Sequence, residues 1–385
     1  MSEEVMGNHS DRQPTGGAAV VLGTRPEIIK LASVIHELGE DAWMIHTGQH
    51  YDPMLSDVFF ESLGLPTPAY KLTDVGGTTR PQQFARMLQH LDRIFTERQP
   101  EVVIVQGDTN SVSAGAQAAN YHGIPVVHVE AGLRSYDRAM PEEINRQVVA
   151  ALADVHCAPT QVSARNLRAS GVPDEAIHVT GNTVVEATLR ALPDATAITS
   201  LLDRFGLTDD SYVLATIHRP SNTDDPQRLK AILEELAHLE LPVLLPLHPR
   251  TAGRIRDFGL TEILGDLIVC PPLDYTDFLG LASRSRLIVS DSGGIQEECT
   301  VIKRPVIVLR DNTERPEAIE TGFARLATPG IGMRNAIAAL LRDETLHRNL
   351  RHRPSPFGDG NASIRIARLA RNYMRVQAES TPQAA

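Results

Sequence analysis

The sequence predicts an α/β protein built as two doubly wound domains that face a central cleft. Short, continuous apolar runs alternate with longer amphipathic stretches along the whole chain, the pattern of parallel strands covered by helices on both faces. At 385 residues the chain exceeds what one hydrophobic core usually holds. Two turns carrying small residues, Gly23-Thr24-Arg25-Pro26-Glu27 and Asp291-Ser292-Gly293-Gly294-Ile295-Gln296-Glu297-Glu298, each sit where a strand pattern gives way to a helix pattern, one in each half.

In the first half the apolar runs predict strands at 18–24, 42–47, 102–106, 125–129, 156–158 and 178–180, with helices at 27–38, 82–98, 111–122, 142–153 and 162–170 between them. The second half repeats the rhythm, with strands at 212–217, 243–247, 267–270, 287–290 and 306–309 and helices at 226–238, 276–282 and 335–342. Residues 192–210 lack a strand pattern and are expected to join the domains. The expected boundaries are a disordered leader at 1–16, a first domain at 17–190 and a second, nucleotide-binding domain at 191–360. A basic helix at 363–377 offers Ile364, Ala367, Leu369 and Tyr373 for packing back on the first domain.

Composition narrows the function. A hydrophobic content of 42% with 22% charged residues is that of an ordinary soluble enzyme. The net charge of −11 argues against a general nucleic-acid binder, which needs a basic surface. Cys157, Cys270 and Cys299 lack metal-ligand or CxxC spacing and lie in or beside apolar runs, so buried free thiols in a reducing cytosol are expected, with no metal. No apolar stretch reaches the roughly 18 residues of a membrane span, and the polar leader lacks a signal-type segment, which together predict a cytoplasmic protein that does not bind membranes.

In doubly wound sheets ligands bind beyond the carboxyl ends of the strands, and the chemically distinctive residues fall there. Both small-residue turns present backbone N–H groups and a helix N-terminus, a setting suited to a phosphate. No GxGxxG follows the first strand, which counts against a tightly bound dinucleotide. Asp108, Glu130 and Glu142 lie at strand ends or a helix start of one sheet edge, and burial together would raise one carboxyl enough to donate a proton near neutrality. His218 and His248 end strands on the same edge as the Asp291 turn, and His218 is a candidate general acid or phosphate donor. Arg25, Lys30, Arg146 and Arg315 supply cations from four turns, suited to bidentate phosphate contacts, with a surface charge or pairing to an acid such as Glu143 or Glu317 as the alternative for each. Ser292, Gly293 and Gly294 would cradle a diphosphate, and Glu298 would accept both ribose hydroxyls.

The runs Gly23–Lys30, Thr47-Gly48-Gln49-His50, Gln106–Asn110, His128–Arg134, Pro141–Arg146, Gly181-Asn182-Thr183, His218-Arg219, Asp291–Glu298 and Arg310–Glu317 resemble the non-hydrolysing UDP-N-acetylglucosamine 2-epimerase family, in the family's order over nearly the whole chain. The resemblance implies two Rossmann-like domains of the GT-B type, a homodimer, a UDP-sugar substrate and no redox cofactor. It also implies a reaction: loss of the C2 proton and of UDP gives 2-acetamidoglucal, and re-addition yields UDP-N-acetylmannosamine. Carried over by motif, Asp108, Glu130, Glu142 and His218 match the acid/base set, and Arg25, Lys30, Phe278, Ser292, Gly293, Gly294, Glu298 and Arg315 match contacts to UDP-sugar. The chain reads His218-Arg219-Pro220-Ser221-Asn222 where the family often has His-Arg-Arg-Glu-Asn. Gln49 and His50 match part of the family's activator site, whereas Asp52 and Thr78-Thr79-Arg80-Pro81 do not match its usual glutamines. A hydrolysing epimerase, a glycosyltransferase of the same architecture and a UDP-sugar-binding regulator without catalysis are the competing readings.

Overall fold

A computed structural model describes residues 16–49 and 60–380, with backbone alone at 375–380. The expected leader, apart from Gly16, and the motif positions His50 and Asp52 lie outside the described residues. The chain divides into one unit of residues 1–187 and 358–385 and a second of 188–357.

The first unit holds a parallel sheet of seven strands: β1 (Ala18–Leu22), β2 (Ala42–His46), β3 (Tyr70–Lys71), β4 (Val102–Gln106), β5 (Val126–Val129), β6 (Val155–Ala158) and β7 (Ile177–Val179), in the order β3-β2-β1-β4-β5-β6-β7. Side chains alternate across a strand, so β1 serves two cores. Ala18, Val20 and Leu22 pack with Ile28, Leu31 and Val34 of helix Arg25–Leu38, while Ala19 and Val21 face Met87, Leu91, Val112 and Ala116 from helices Arg80–Arg98 and Asn110–Tyr121. That double burial is why the strands read as unbroken apolar runs. Helix Ala362–Ser380 joins the first of these cores through Ala362, Ile366, Ala367, Ala370 and Met374. Ile364, offered by the pattern as a packing residue, is instead 42% exposed, because it lies off that stripe.

The second unit holds six parallel strands: β8 (Val213–Thr216), β9 (Val243–Pro246), β10 (Ile268–Cys270), β11 (Leu287–Ser290), β12 (Val306–Val308) and β13 (Ala324–Leu326), in the order β10-β9-β8-β11-β12-β13. Residues 192–210 are not a bare connection. They lie in the second unit and contain helix Ala195–Phe205, N-capped by the Asp194 side chain and ended by Gly206 at φ 64°. The short edge strands β3 and β13 are not expected from the sequence, because neither has the Val/Ile run of a strand buried on both faces. All three cysteines are buried and free, as expected, and burial pushes the Cys157 thiol up to about 12. Among the described residues no helix is long and apolar enough to cross a membrane.

Each sheet has one place where the strand order reverses, between β1 and β4 in the first unit and between β8 and β11 in the second. The loops leaving those strands diverge and open a crevice at the carboxyl end.

Candidate active site

In the first unit the crevice lies beyond β1 and β4. The turn after β1 is occupied by the chain's own carboxylate. Glu27 Oε2 accepts from the backbone N–H groups of Gly23 (2.8 Å) and Thr24 (2.7 Å), completing a capping box with Thr24. The sequence expectation of a phosphate on these N–H groups is therefore corrected for Gly23 and Thr24: a carboxyl of the chain itself already occupies them. Glu27 Oε1 accepts from Thr109 Oγ1 at 2.6 Å, across the reversal point to the loop after β4. Burial is the dominant influence on Glu27 and, only partly offset by these bonds, pushes it up to about 7. Gly23 is required for close approach: a Cβ there would stand 2.0 Å from Thr47 Oγ1 and 2.3 Å from Ser111 Oγ. Gln49 Oε1 accepts from Ser111 N (2.9 Å) and Ser111 Oγ (2.8 Å), fixing the start of the helix that follows β4.

Asp108, one residue before Thr109, is held from two sides. Arg146 donates to Asp108 Oδ2 from Nε (2.9 Å) and Nη2 (2.6 Å), and Asn145 donates to the Asp108 carbonyl at 2.9 Å. The third face of the Arg146 fork reaches Glu143 Oε2 at 2.8 Å, which also accepts from Ser135 N at 2.9 Å. Burial by itself raises Glu143, but the bonds from Ser135 and Arg146 together hold it below the usual carboxylate range. Helix Pro141–Leu152 thus turns Glu143 and Arg146 inward, while Glu142 is half-exposed and pairs with Arg80 at 3.2 Å.

Glu130 follows β5 at φ 64°, a left-handed conformation uncommon for a non-glycine residue. It is buried, forms an ion pair with Lys30 and accepts from Asn182 Nδ2 at 3.1 Å. Asp108, Glu130 and Glu142 therefore each engage a cation. Burial also raises Glu27, which lies within the first small-residue turn but carries no expected role there.

In the second unit the crevice lies beyond β8 and β11 and is spanned by the fully buried Asp291. Asp291 Oδ2 accepts from Arg219 N (2.9 Å) and Asn222 Nδ2 (3.0 Å), and its carboxylate accepts from His218 N at 3.1 Å. His218 Nδ1 stands 3.0 Å from Asp291 Oδ1, with the ring 40% exposed. Burial tends to raise Asp291, but the bonds from His218, Asn222 and Arg219 prevail and hold it below its ordinary range. The His248 ring lies 6.2 Å from that of His218, and burial with the neighbouring His218 and Arg250 lowers its pKa.

Ser292, Gly293 and Gly294 lead into helix Ile295–Ile302 and are partly exposed. A Cβ at Gly293 would lie 3.1 Å from Arg315 Nη1, so the missing side chain lets that guanidinium approach the turn. Glu298 accepts from the Tyr275 hydroxyl at 3.0 Å, and half-buried Phe278 lies on the same helix as Tyr275. Arg315 is buried, ion-paired with Glu297 at 2.8 Å and with Glu314, which also binds Arg310 at 2.8 Å. Lys30, Arg146 and Arg315, expected as phosphate cations, thus each have carboxylate partners within their own unit, as buried charges require. Arg25 is half-buried beside Thr24. Among the described residues no group of three or more His, Cys, Asp and Glu side chains is arranged to hold a metal.

The sequence profile of the family described as UDP-N-acetylglucosamine 2-epimerase matches residues 35–371. The chain belongs to that epimerase family. It is 40% identical to UDP-N-acetylglucosamine 2-epimerase of Methanocaldococcus jannaschii over 91% of this chain and 98% of the relative. It is 36% identical to UDP-2,3-diacetamido-2,3-dideoxy-D-glucuronate 2-epimerase of Pseudomonas aeruginosa over 90% and 97%, respectively. The crystal structure of the M. jannaschii epimerase in complex with UDP-GlcNAc and UDP superposes with a TM-score of 0.82 at 39% identity, covering 92% of this chain and 99% of that one. A Rickettsia africae glycosyltransferase, at 11% identity and a TM-score of 0.55, shares the fold alone. The α/β, GT-B-like fold class expected from the sequence is borne out.

Within this epimerase the residues to which sequence reasoning gives no positioning role are those that hold others in place: Glu27, Thr109, Asn182, Tyr275 and Asp291 as the anchor of His218. Glu27 and Thr109 carry local signals, the Thr-x-x-Glu capping box at Thr24 and the N-cap of the helix after β4.

Proposed function

We infer that this chain catalyses the reversible C2 epimerisation of UDP-N-acetylglucosamine to UDP-N-acetylmannosamine without releasing free sugar. A base removes the C2 proton, the C1–O bond to UDP breaks, and 2-acetamidoglucal and UDP remain bound. UDP then re-adds at C1 as a proton reaches C2 from the opposite face. A weakly acidic C–H and a departing diphosphate require a positioned base, a separate acid and donors for the leaving anion.

The observation that carries this reading is Glu130, a carboxylate in an uncommon backbone conformation at a strand end and oriented by Lys30 and Asn182. Asp108, fixed by Arg146, and His218, fixed by Asp291, complete the acid/base set with the more exposed Glu142. Ser292, Gly293, Gly294, Glu298, Phe278, His248, Arg25 and Arg315 are assigned to the UDP-sugar, with Lys30 and Arg146 acting through the carboxylates that they hold. The enzyme is assigned to the cytoplasm as a homodimer, binding neither nucleic acid nor membrane, in keeping with the family resemblance and a net charge of −11.

The test is turnover of UDP-N-acetylglucosamine in heavy water. Deuterium at C2, lost in Asp108→Asn and Glu130→Gln, with no free UDP accumulating by phosphorus NMR, is the expected result. UDP rising in step with turnover would instead assign the hydrolysing reaction. The similarity to the P. aeruginosa diacetamido-glucuronate epimerase supports a second reading for the sugar, so that substrate belongs in the same assay.

A further inference from the structure

We propose that Glu27 is a positioning residue for the reaction, setting Asp108 through Thr109 across the reversal point of the first sheet. This rests on the assignment of Asp108 to the acid/base set.

The carboxyl is buried, and its hydrogen-bond partners come from two loops: Gly23 N, Thr24 N and the Thr24 side chain after β1, and Thr109 Oγ1 after β4. These loops part at the crevice, so nothing in the sheet ladder fixes one against the other beyond the strand ends. Glu27 supplies that link. Thr109 also N-caps helix Asn110–Tyr121, so its hydroxyl joins the start of that helix to the start of helix Arg25–Leu38. The adjacent Asp108 is held at its carbonyl by Asn145 and at its carboxylate by Arg146, both from helix Pro141–Leu152. Asp108 is thereby tied to a second helix on one side and, through Thr109, to the β1 turn on the other.

A hydrophobic side chain would cap neither Gly23 nor Thr24, and a neutral amide that accepted from both N–H groups would turn its own N–H toward the Thr109 hydroxyl and reverse that bond. An ionised carboxylate accepts from these donors without any such reversal. Burial, opposed by the hydrogen-bond donors, is the largest influence on its pKa. The same carboxylate explains why a motif of helix-N-terminus type leaves no N–H groups at Gly23 and Thr24 for a ligand.

The experiment compares kcat and KM for UDP-N-acetylglucosamine in Thr109→Val, Thr109→Ser, Glu27→Gln and Asp108→Asn, with thermal unfolding of each. The link is one buried hydrogen bond between the two loops, so its loss in Thr109→Val should lower kcat about tenfold, with KM little changed, and Glu27→Gln, whose amide can still meet the Thr109 hydroxyl, should lose less. Thr109→Ser, which keeps the hydroxyl, should restore kcat to within about twofold. Wild-type kcat in Thr109→Val overturns the proposal, and so does a Thr109→Ser enzyme as slow as Thr109→Val. Thr109→Val decides the matter even if Glu27→Gln does not fold. An active Asp108→Asn enzyme overturns the assignment of Asp108 and this proposal with it, whereas an inactive Asp108→Asn beside a fully active Thr109→Val overturns this proposal alone.

Discussion

His218 Nδ1 lies 3.0 Å from Oδ1 of Asp291, a fully buried carboxylate that also accepts from the backbone N–H groups of His218 and Arg219. One side chain therefore fixes both the loop after β8 and the ring that the loop carries. With Nδ1 committed to Asp291, Nε2 is the ring atom available for proton transfer. Asp291→Asn should lower kcat by about 100-fold, because the amide cannot accept from every donor and favours the wrong tautomer. His218→Asn should cost a comparable factor, and the double variant should be little worse than either single one. Full additivity in steady-state assays would show that the two act independently.

Lys30 and Glu130 form a buried pair whose side chains are 9% and 5% exposed. Removing one partner leaves the other charge in a dry site. Lys30→Met should therefore destabilise the chain by about 3–5 kcal/mol, and Lys30→Met with Glu130→Gln by clearly less. Urea unfolding of the four proteins in the cycle measures this. A loss in the double variant equal to the sum of the two single losses would remove the coupling.

Two glycines make a paired prediction. Gly23→Ala puts a Cβ within 2.3 Å of both Thr47 Oγ1 and Ser111 Oγ. It should destabilise by about 1–3 kcal/mol and disturb the turn that carries Arg25. Gly253 lies inside helix Pro249–Asp257, has no positive φ, and has nothing within 4 Å of the position a Cβ would take. Gly253→Ala should stabilise by about 0.5–1 kcal/mol. Midpoints of thermal unfolding that move in opposite directions are the expected result, and a shift of the same sign in both would contradict this difference in packing.

The strands are legible because double-sided burial writes itself into sequence as continuous runs such as Val102–Gln106, and the helices because their caps lie within a turn of them. The site is legible as a set of positions but not as a set of partners. Lys30 and Glu130 stand 100 residues apart, Glu27 and Thr109 82, and His218 and Asp291 73. Nothing local states that such residues meet, since only the strand order brings their loops together. A cation in a motif therefore reads equally as a ligand contact or an ion pair, and only the structure shows that Lys30, Arg146 and Arg315 are buried against Glu130, Glu143 and Glu297. Helix Ala195–Phe205 escapes a reading that weighs the absence of a strand pattern, although Asp194 and Gly206 mark both of its ends.

Glu27 also gives stability a measurable pH dependence. Burial, only partly offset by the bonds from Thr109, Gly23 and Thr24, raises it from 4.5 to about 7. The folded chain then binds this proton more tightly than the unfolded chain does. Its contribution is full below about 4.5 and is lost as pH rises through about 7, a change of about 3 kcal/mol. Buried His128 and His156 act in the opposite direction, since burial lowers them from 6.5 to about 3 and about 4. Their stability is present above 6.5 and falls as pH drops toward those values. Subtracting the Glu27→Gln curve from the wild type leaves the histidines common to both and isolates the carboxyl. Between about pH 5 and pH 8, which spans most of its titration, wild-type stability should fall relative to Glu27→Gln by roughly 2–3 kcal/mol. Urea midpoints that stay parallel across that range would mean that Glu27 keeps an ordinary pKa and that its burial does not govern its proton.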